Sequence, residues 1–276
     1  MKLFPWSKKE NKIDKDVAFL EEPRICLSYR VANLQGIGKR ARQEDSFTSA
    51  NATDVSMIQK RGLFAAVADG MGGMKDGSVA SEIAVTDFRE AFEYLDFDSD
   101  IPLQLAEAAD TINHRVFNAL GGQGGSTLVA TVIYQEKLYY ISIGDSFLYI
   151  KRNGQLIQLN RKHTVLNDAY LDLVQDGEFN PRIVRQLDEQ GALTQFLGMD
   201  KLEDKDYLIK PMPLYSGDVI LLCSDGVAGV ISEEIISDCM SEATPEKICT
   251  RLEESILLKN KKYQDNYTAL VIMCDY

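Results

Sequence analysis

Four aspartates stand where a carboxylate is awkward to place. Asp69 follows the apolar run LFAAVA and opens DGMGG; Asp145 follows LYYISIG; Asp225 follows VILLCS and precedes Gly226; Asp265 precedes Asn266 and the run TALVIM. A carboxylate at the end of a buried apolar run is costly unless paired or metal-bound. A neighbouring glycine lets a backbone carbonyl approach an ion or ligand closely. Brought to one end of a sheet, such carboxylates repel, and a divalent cation is the usual remedy. The same residues can instead cap turns independently, Asp-Gly being a common turn pair. Spacing alone leaves both readings open. No side-chain nucleophile stands out, since G-x-S-x-G, C-x5-R and Walker A patterns are all missing.

The elements that must carry these residues alternate in type. Ile25 to Ala32 is weakly alternating and β-rich, and Leu63 to Ala68 reads as a buried strand. Helices are expected from Gly77 to Leu95, from about Pro102 to Leu120, and from Pro245 to Leu258 behind the cap Thr244. Thr127 to Tyr134, Leu138 to Ile143, Phe147 to Lys151 and Gln155 to Leu159 form four strands in quick succession, with an Asn-Gly turn at Asn153-Gly154. Val219 to Cys223 and Ala269 to Cys274 are further buried strands. Four strands without room for crossover helices argue against a doubly wound parallel sheet. The pattern implies an α+β fold of antiparallel sheets covered by helices. One domain, 25–276, is expected behind a loosely ordered N-terminal tail, 1–24.

Composition narrows the chemistry. With 42 Asp and Glu against 30 Lys and Arg in 276 residues, the net charge is −12. That surface repels phosphate backbones and argues against nucleic-acid binding. Two histidines leave no His-rich metal site, so a metal here would be a hard cation on oxygen ligands. Five cysteines without a C-x-x-C pair argue against a disulfide framework and fit a reducing cytoplasm. The start MKLFPWSKK turns polar too soon for a signal peptide, and no apolar run is long enough for a membrane span.

The motifs, taken in order, resemble the metal-dependent protein Ser/Thr phosphatases of type 2C in their bacterial form. They are RARQED (Arg40 to Asp45), ADGMGG (Ala68 to Gly73), GGSTLVATVI (Gly124 to Ile133), GDS (Gly144 to Ser146), LTQFLG (Leu193 to Gly198), GDVILLCSDGV (Gly217 to Val227) and DNYTALVI (Asp265 to Ile272). The resemblance implies an αββα sandwich, two antiparallel β-sheets flanked by pairs of helices. It also implies two Mn²⁺ or Mg²⁺ ions, with Asp69 bridging both, the Gly70 carbonyl on the first, and Asp225 and Asp265 on the second. Glu44 and Asp45 would act through water, Asp145 with Asp225 would hold a third, weaker ion, and Arg40 would grip the substrate phosphate. A hydroxide formed between the ions would attack phosphorus. The implied partner is a phosphorylated protein made by a Ser/Thr kinase. A catalytically impaired member that only binds phosphoproteins is the alternative; a third reading is an active enzyme with one dedicated substrate.

Three positions depart from the family's pattern. Met71 stands where many eukaryotic members have His, Phe147 replaces the arginine of GDSR, and Gln195 replaces another common arginine. The last two spare the expected ligands and bear on substrate docking or local ion pairing. The polar excursion from about His163 to Gly191 coincides with the family's variable flap. Other signals are read as structural: Asp96 to Asp100 as an interhelical loop, GGQGG as a tight turn, His114 as surface or core filler on a helix, His163 as structural with no metal role, and Asp218 as part of a turn.

Overall fold

The structure, a computed structural model, describes residues 26–72, 76–175, 177 and 191–276. The expected tail at 1–24, and most of the flap beyond Gln175, lie outside the described residues. In chain order the strands are β1 (Ser28–Gly36), β2 (Asp45–Ala50), β3 (Leu63–Met71), β4 (Gly125–Ser126), β5 (Leu128–Tyr134), β6 (Lys137–Ile143), β7 (Phe147–Arg152), β8 (Gln155–Gln158), β9 (Asp206–Tyr207), β10 (Met212–Pro213), β11 (Val219–Cys223) and β12 (Tyr267–Asp275). The helices are α1 (Val55–Arg61), α2 (Asp76–Glu93), α3 (Ile101–Leu120), α4 (Val165–Gln175), α5 (Asp225–Ala228), α6 (Glu233–Cys239) and α7 (Pro245–Lys259).

The uninterrupted apolar run of β3 is explained by burial on both faces. Leu63, Ala65 and Val67 point into a layer shared with Leu148, Ile220, Leu222 and Leu270 of the opposite sheet. Phe64, Ala66 and Ala68 point the other way, against Phe88 and Phe92 of α2 and Leu105 and Ile112 of α3. One sheet runs β10-β6-β5-β3-β2, with β4 and β9 paired at its margins; the other runs β1-β12-β11-β7-β8. The strand pairings among the described residues are antiparallel. Ile236 of α6 and Ile248, Leu252 and Ile256 of α7 cover the second sheet through Tyr149, Leu221 and Val271. The result is the expected αββα sandwich.

Local signals hold at the helix ends. Asp100 caps α3 by accepting from the Leu103 N–H at 3.0 Å, and Gly121 ends it in the left-handed conformation. Thr244 caps α7 through the Lys247 N–H at 3.3 Å. Asp96 accepts from the Asp98 N–H and Ser99 Oγ, closing the interhelical loop on itself.

The first strand departs from the expected Ile25 to Ala32. It continues through Asn33, Leu34 and Gln35 because the whole stretch is laddered against β12, from Ser28 opposite Asp275 to Gly36 opposite Tyr267. Strand β2 escaped notice because DSFTSA is polar and pairs on one side only. Helix α1 has no buried residue, so no apolar stripe marks it. No helix among the described residues is long and apolar enough to cross a membrane.

Candidate active site

The aspartates converge because strand ends from both sheets meet at one edge of the sandwich. In the first sheet, antiparallel register sets Asp45 directly opposite Asp69. The Asp69 backbone is fixed on both sides: its N–H donates to Thr127 Oγ1 at 2.9 Å, and its carbonyl accepts from the Thr127 N–H at 2.8 Å and Ser126 Oγ at 3.0 Å. Gly70 donates its N–H to the Glu44 carbonyl at 3.1 Å. A Cβ there would fall 2.0 Å from the Gly77 carbonyl oxygen, so the first turn of α2 can approach only a glycine.

The second sheet supplies Asp225 and Asp265. Cys223 ends β11, Ser224 precedes α5, and Asp225 is the first residue of that helical turn. A Cβ on Gly226 would lie 1.7 Å from the Asn266 carbonyl oxygen, so glycine is what lets α5 press against the chain entering β12. Asp145 lies in the short crossing from β6 to β7, where the chain passes from one sheet to the other. Thr127 Oγ1 and Ser146 Oγ, 2.7 Å apart, tie that crossing to the Asp69 turn.

Arg40, Glu44, Asp69, Gly70, Asp145, Asp225 and Asp265 all line one cavity of about 270 Å³. Asp45, the remaining nominated residue, does not; it is only 4 % exposed, and its Oδ2 accepts from Ser224 Oγ at 2.8 Å. Its Oδ1 is buried without a hydrogen-bond partner. Arg40 reaches the rim on a loop held by Asn266, whose Nδ2 donates to the Ile37 and Arg42 carbonyls at 3.0 Å each while its Oδ1 accepts from the Glu44 N–H at 2.8 Å. Arg40 Nη2 donates to Asp265 Oδ2 at 2.5 Å.

So many carboxylates in one recess resist ionising together. Burial first, then the charges of Asp45 and Asp225, raise the Asp69 carboxyl well above its usual range. Burial and Asp225 push Asp145 up to about 6. Asp45 is also pushed to about 6 by burial, against the hydrogen bonds from Ser224 and Thr268. Asp225 is raised by burial and then by Asp265. Hard oxygen donors, mutual repulsion and an orphaned buried carboxylate oxygen fit a divalent cation. Among the described residues no three such side chains are already drawn up as a complete cage.

Several contributors had no signal of their own in the sequence. Thr127, Ser224 and Asn266 do their work through backbone hydrogen bonds, visible only once strand ends are juxtaposed. Met71 and Leu193 line the cavity. Gln195 does not face the cleft chemistry: its Oε1 accepts from the Glu203 and Asp204 N–H groups at 3.0 and 3.2 Å. His163 is fully buried with Nδ1 3.2 Å from the Gly144 nitrogen, and His114 is exposed on α3. Asp218, 2 % exposed, is paired with Arg152 at 2.6 Å in the turn before β11.

Residues 37–259 match the family model for protein phosphatase 2C. Over 220 residues the chain is 27 % identical to the serine/threonine phosphatase stp of Listeria monocytogenes, covering 76 % of this chain and 83 % of that one. It is 30 % identical over 186 residues to protein phosphatase PhpP of Streptococcus pneumoniae, covering 65 % of this chain and 73 % of that one. The solved catalytic domain of the serine/threonine protein phosphatase PstP, in complex with two manganese ions, superposes with a TM-score of 0.72 at 25 % identity, covering 91 % of this chain and all of that one.

Proposed function

The chain belongs to the protein phosphatase 2C family, and from that premise we propose that it hydrolyses phosphoserine and phosphothreonine in proteins, using two Mn²⁺ or Mg²⁺ ions. The observation that carries this reading is the convergence of Asp69, Asp145, Asp225 and Asp265 on one cavity with Arg40 at its rim. Asp69 would bridge the ions, with the Gly70 carbonyl on the first and Asp225 and Asp265 on the second. Glu44 and the buried Asp45 would act through water, and Asp145 would serve a third ion. When bound, the ions supply Lewis acidity that lowers the pKa of water in the cleft and offsets the charge of the phosphoryl group.

The chain's own residues do the rest. Arg40 is half exposed at the rim and offers a planar fork for phosphate oxygens. Its present partner, Asp265, is a proposed cation ligand, so an ion held by Asp265 would leave the Arg40 guanidinium free for phosphate oxygens. Asn266 fixes the Arg40 loop from Ile37 to Glu44, which sets the guanidinium's approach. A non-hydrolysing binding module has no feature favouring it here, because each expected ligand position keeps its carboxylate. The substrates are by their chemistry products of a Ser/Thr kinase, and the cytoplasmic setting read from the cysteines belongs to the same proposal.

Hydrolysis of p-nitrophenyl phosphate tests it. Activity is expected to require Mn²⁺, to vanish with EDTA, and to collapse in Asp69→Ala and Asp225→Ala. An inactive wild-type protein across a full Mn²⁺ titration would overturn the reading.

A further inference from the structure

Beside the cleft lies a second groove, smaller and lined by lysines in place of carboxylates. It encloses about 190 Å³ between the loop after β1 and the end of α7, with Ile37, Lys39, Leu257, Lys261, Gln264 and Tyr267 among its walls. Two of these large apolar side chains are exposed, Ile37 at 46 % and Leu257 at 59 %, and the adjoining chain also exposes Leu258 and Tyr263. The stretch LLKNKKY, 257–263, holds three lysines and no acidic residue, in a chain whose net charge is −12. Lys261 Nζ donates to the Gly229 carbonyl at 3.1 Å, and Lys262 Nζ lies 4.8 Å from the Tyr263 ring centroid. Both partners are uncharged, so the positive field is not cancelled at source. The charged walls are Lys39 and Lys261, with Glu253 accepting from the Tyr267 hydroxyl at 3.2 Å; exposed apolar surface beside such charges marks an interaction site.

The groove and the cleft share a wall. Lys39 donates its N–H to the Gln264 carbonyl at 2.8 Å, and the Gly38 backbone approaches so closely that a Cβ would lie 2.2 Å from the Asp265 carbonyl oxygen. One residue further along each strand of this crossing stand Arg40 and Asp265, which line the cleft. A peptide whose phosphate meets Arg40 and whose chain runs toward Lys39 would reach the groove after a short advance, at about 3.3 Å per extended residue.

We propose that this groove is the docking surface for the substrate segment flanking the phosphorylated serine or threonine, and that it selects an apolar side chain accompanied by acidic residues. The inference rests on the phosphatase reading and names the substrate class of the same site. Burial of an apolar side chain against Leu257 and Ile37 supplies affinity, while the lysines supply attraction and orientation that weaken with salt.

The test uses the full chain and two fluorescent phosphoserine peptides, one flanked by Leu and Glu, the other by Ser and Lys. Anisotropy titrations at about 0.05 and 0.3 M salt compare wild type, Lys261→Glu/Lys262→Glu and Leu257→Ser. The acidic-apolar peptide is expected to bind wild type about tenfold tighter, with the advantage shrinking at high salt. Both variants are expected to lose that advantage while hydrolysing p-nitrophenyl phosphate as well as wild type, which also certifies their folding. Equal affinity for the two peptides, or a preference retained by the double variant, overturns the proposal. So does binding of anionic lipid vesicles that displaces the peptide, which would assign the surface to a membrane. Failure of wild type to hydrolyse p-nitrophenyl phosphate would instead strike the phosphatase reading, leaving the anisotropy comparison to decide the groove.

Discussion

Lys162 Nζ stands 3.5 Å from the centroid of the Phe147 ring, on a side chain that stacks in turn on Tyr149 at 5.6 Å. The sequence shows phenylalanine where the resembled motif has arginine, and the structure shows a cation arriving from a different element. Burial lowers the Lys162 pKa, while Asp145 and Asp225 are the charges that oppose that shift. The ring thus holds an ammonium beside two of the proposed cation ligands. A buried cation–π contact is worth about 1–2 kcal/mol, so Lys162→Met should lower metal-free stability by about that much. It should also tighten Mn²⁺ binding, because a competing positive charge is gone. Denaturation in EDTA and calorimetric Mn²⁺ titration measure the two effects; a variant matching wild type in both would sink this account.

Burial and the neighbouring carboxylates disfavour the ionised form of Asp69 in the metal-free cleft. Asp69→Asn removes the repulsion while keeping the shape. The variant is expected to be more stable than wild type in EDTA, by about 1–2 kcal/mol, and to lose at least about a hundredfold in Mn²⁺-dependent activity. Urea midpoints with and without metal check it. An asparagine variant less stable than metal-free wild type would show that Asp69 makes a stabilising interaction of its own.

The acid-base behaviour of the cleft has a definite sign. The Asp145 and Asp45 carboxyls sit near 6 in the folded chain, above the unfolded value of about 4. Between those values the folded state binds more protons than the unfolded one, so their contribution is fully present below about pH 4 and fades as pH rises through about 6. For a single such carboxyl the change is on the order of 1–3 kcal/mol. Stability gained on adding Mn²⁺ should accordingly be larger at about pH 7.5 than at about pH 5. Metal-free stability that climbs across that interval would contradict the assignment.

Arg40 is expected to act on binding at least as much as on turnover. In Arg40→Ala, KM should rise by about tenfold or more, with kcat falling no more steeply. Arg40→Lys should recover only part of the loss, because an ammonium cannot make the bidentate contact. Steady-state kinetics on a phosphopeptide decide the point, and an unchanged KM would remove the phosphate-gripping role.

Away from the cleft, Asp218 tests the structural reading of an acidic residue beside a strand. It is 2 % exposed and receives Arg152 Nε and Nη2 at 2.8 and 2.6 Å, plus the Tyr215 N–H at 2.8 Å. Arg152→Leu should cost about 3 kcal/mol or more, since it strands a buried carboxylate. The double change Arg152→Leu/Asp218→Asn should restore part of that cost, with hydrolysis untouched throughout. Thermal denaturation beside an activity assay gives both readouts.

These contrasts indicate what the chain made readable. Apolar runs buried on two faces, such as Leu63 to Ala68 and Val219 to Cys223, announce themselves by composition, and so do α2, α3 and α7 through helical periodicity. The four strand-end aspartates were legible as a set because an apolar run flanked each of them and a glycine adjoined Asp69, Asp145 and Asp225. Residues acting through long-range hydrogen bonds were not. Ser224 and Asp45 are 179 positions apart, and Asn266 and Glu44 are separated by 222. Nothing local in such residues distinguishes a clamp from an ordinary polar side chain. The Phe147–Lys162 contact was hidden for a similar reason, since only the fold brings the altered motif and that lysine together.

The sandwich also has a built-in lever. Its two sheets are glued along their faces by aliphatic side chains such as Val67, Leu222 and Leu270, yet at one edge they carry like charges, Asp69 on one and Asp225 and Asp265 at the strand ends of the other. Without a cation, repulsion acts at the rim with the apolar layer as its hinge, and local opening begins there before the core loosens. The amides of Thr127, Ser224 and Thr268, which donate to partners within their own sheets at this edge, are expected to be the first strand-end amides to exchange with solvent. A cation held by these carboxylates would act as a clasp on that edge. Its departure would register as faster exchange at three specific amides, well before any change in the fold as a whole.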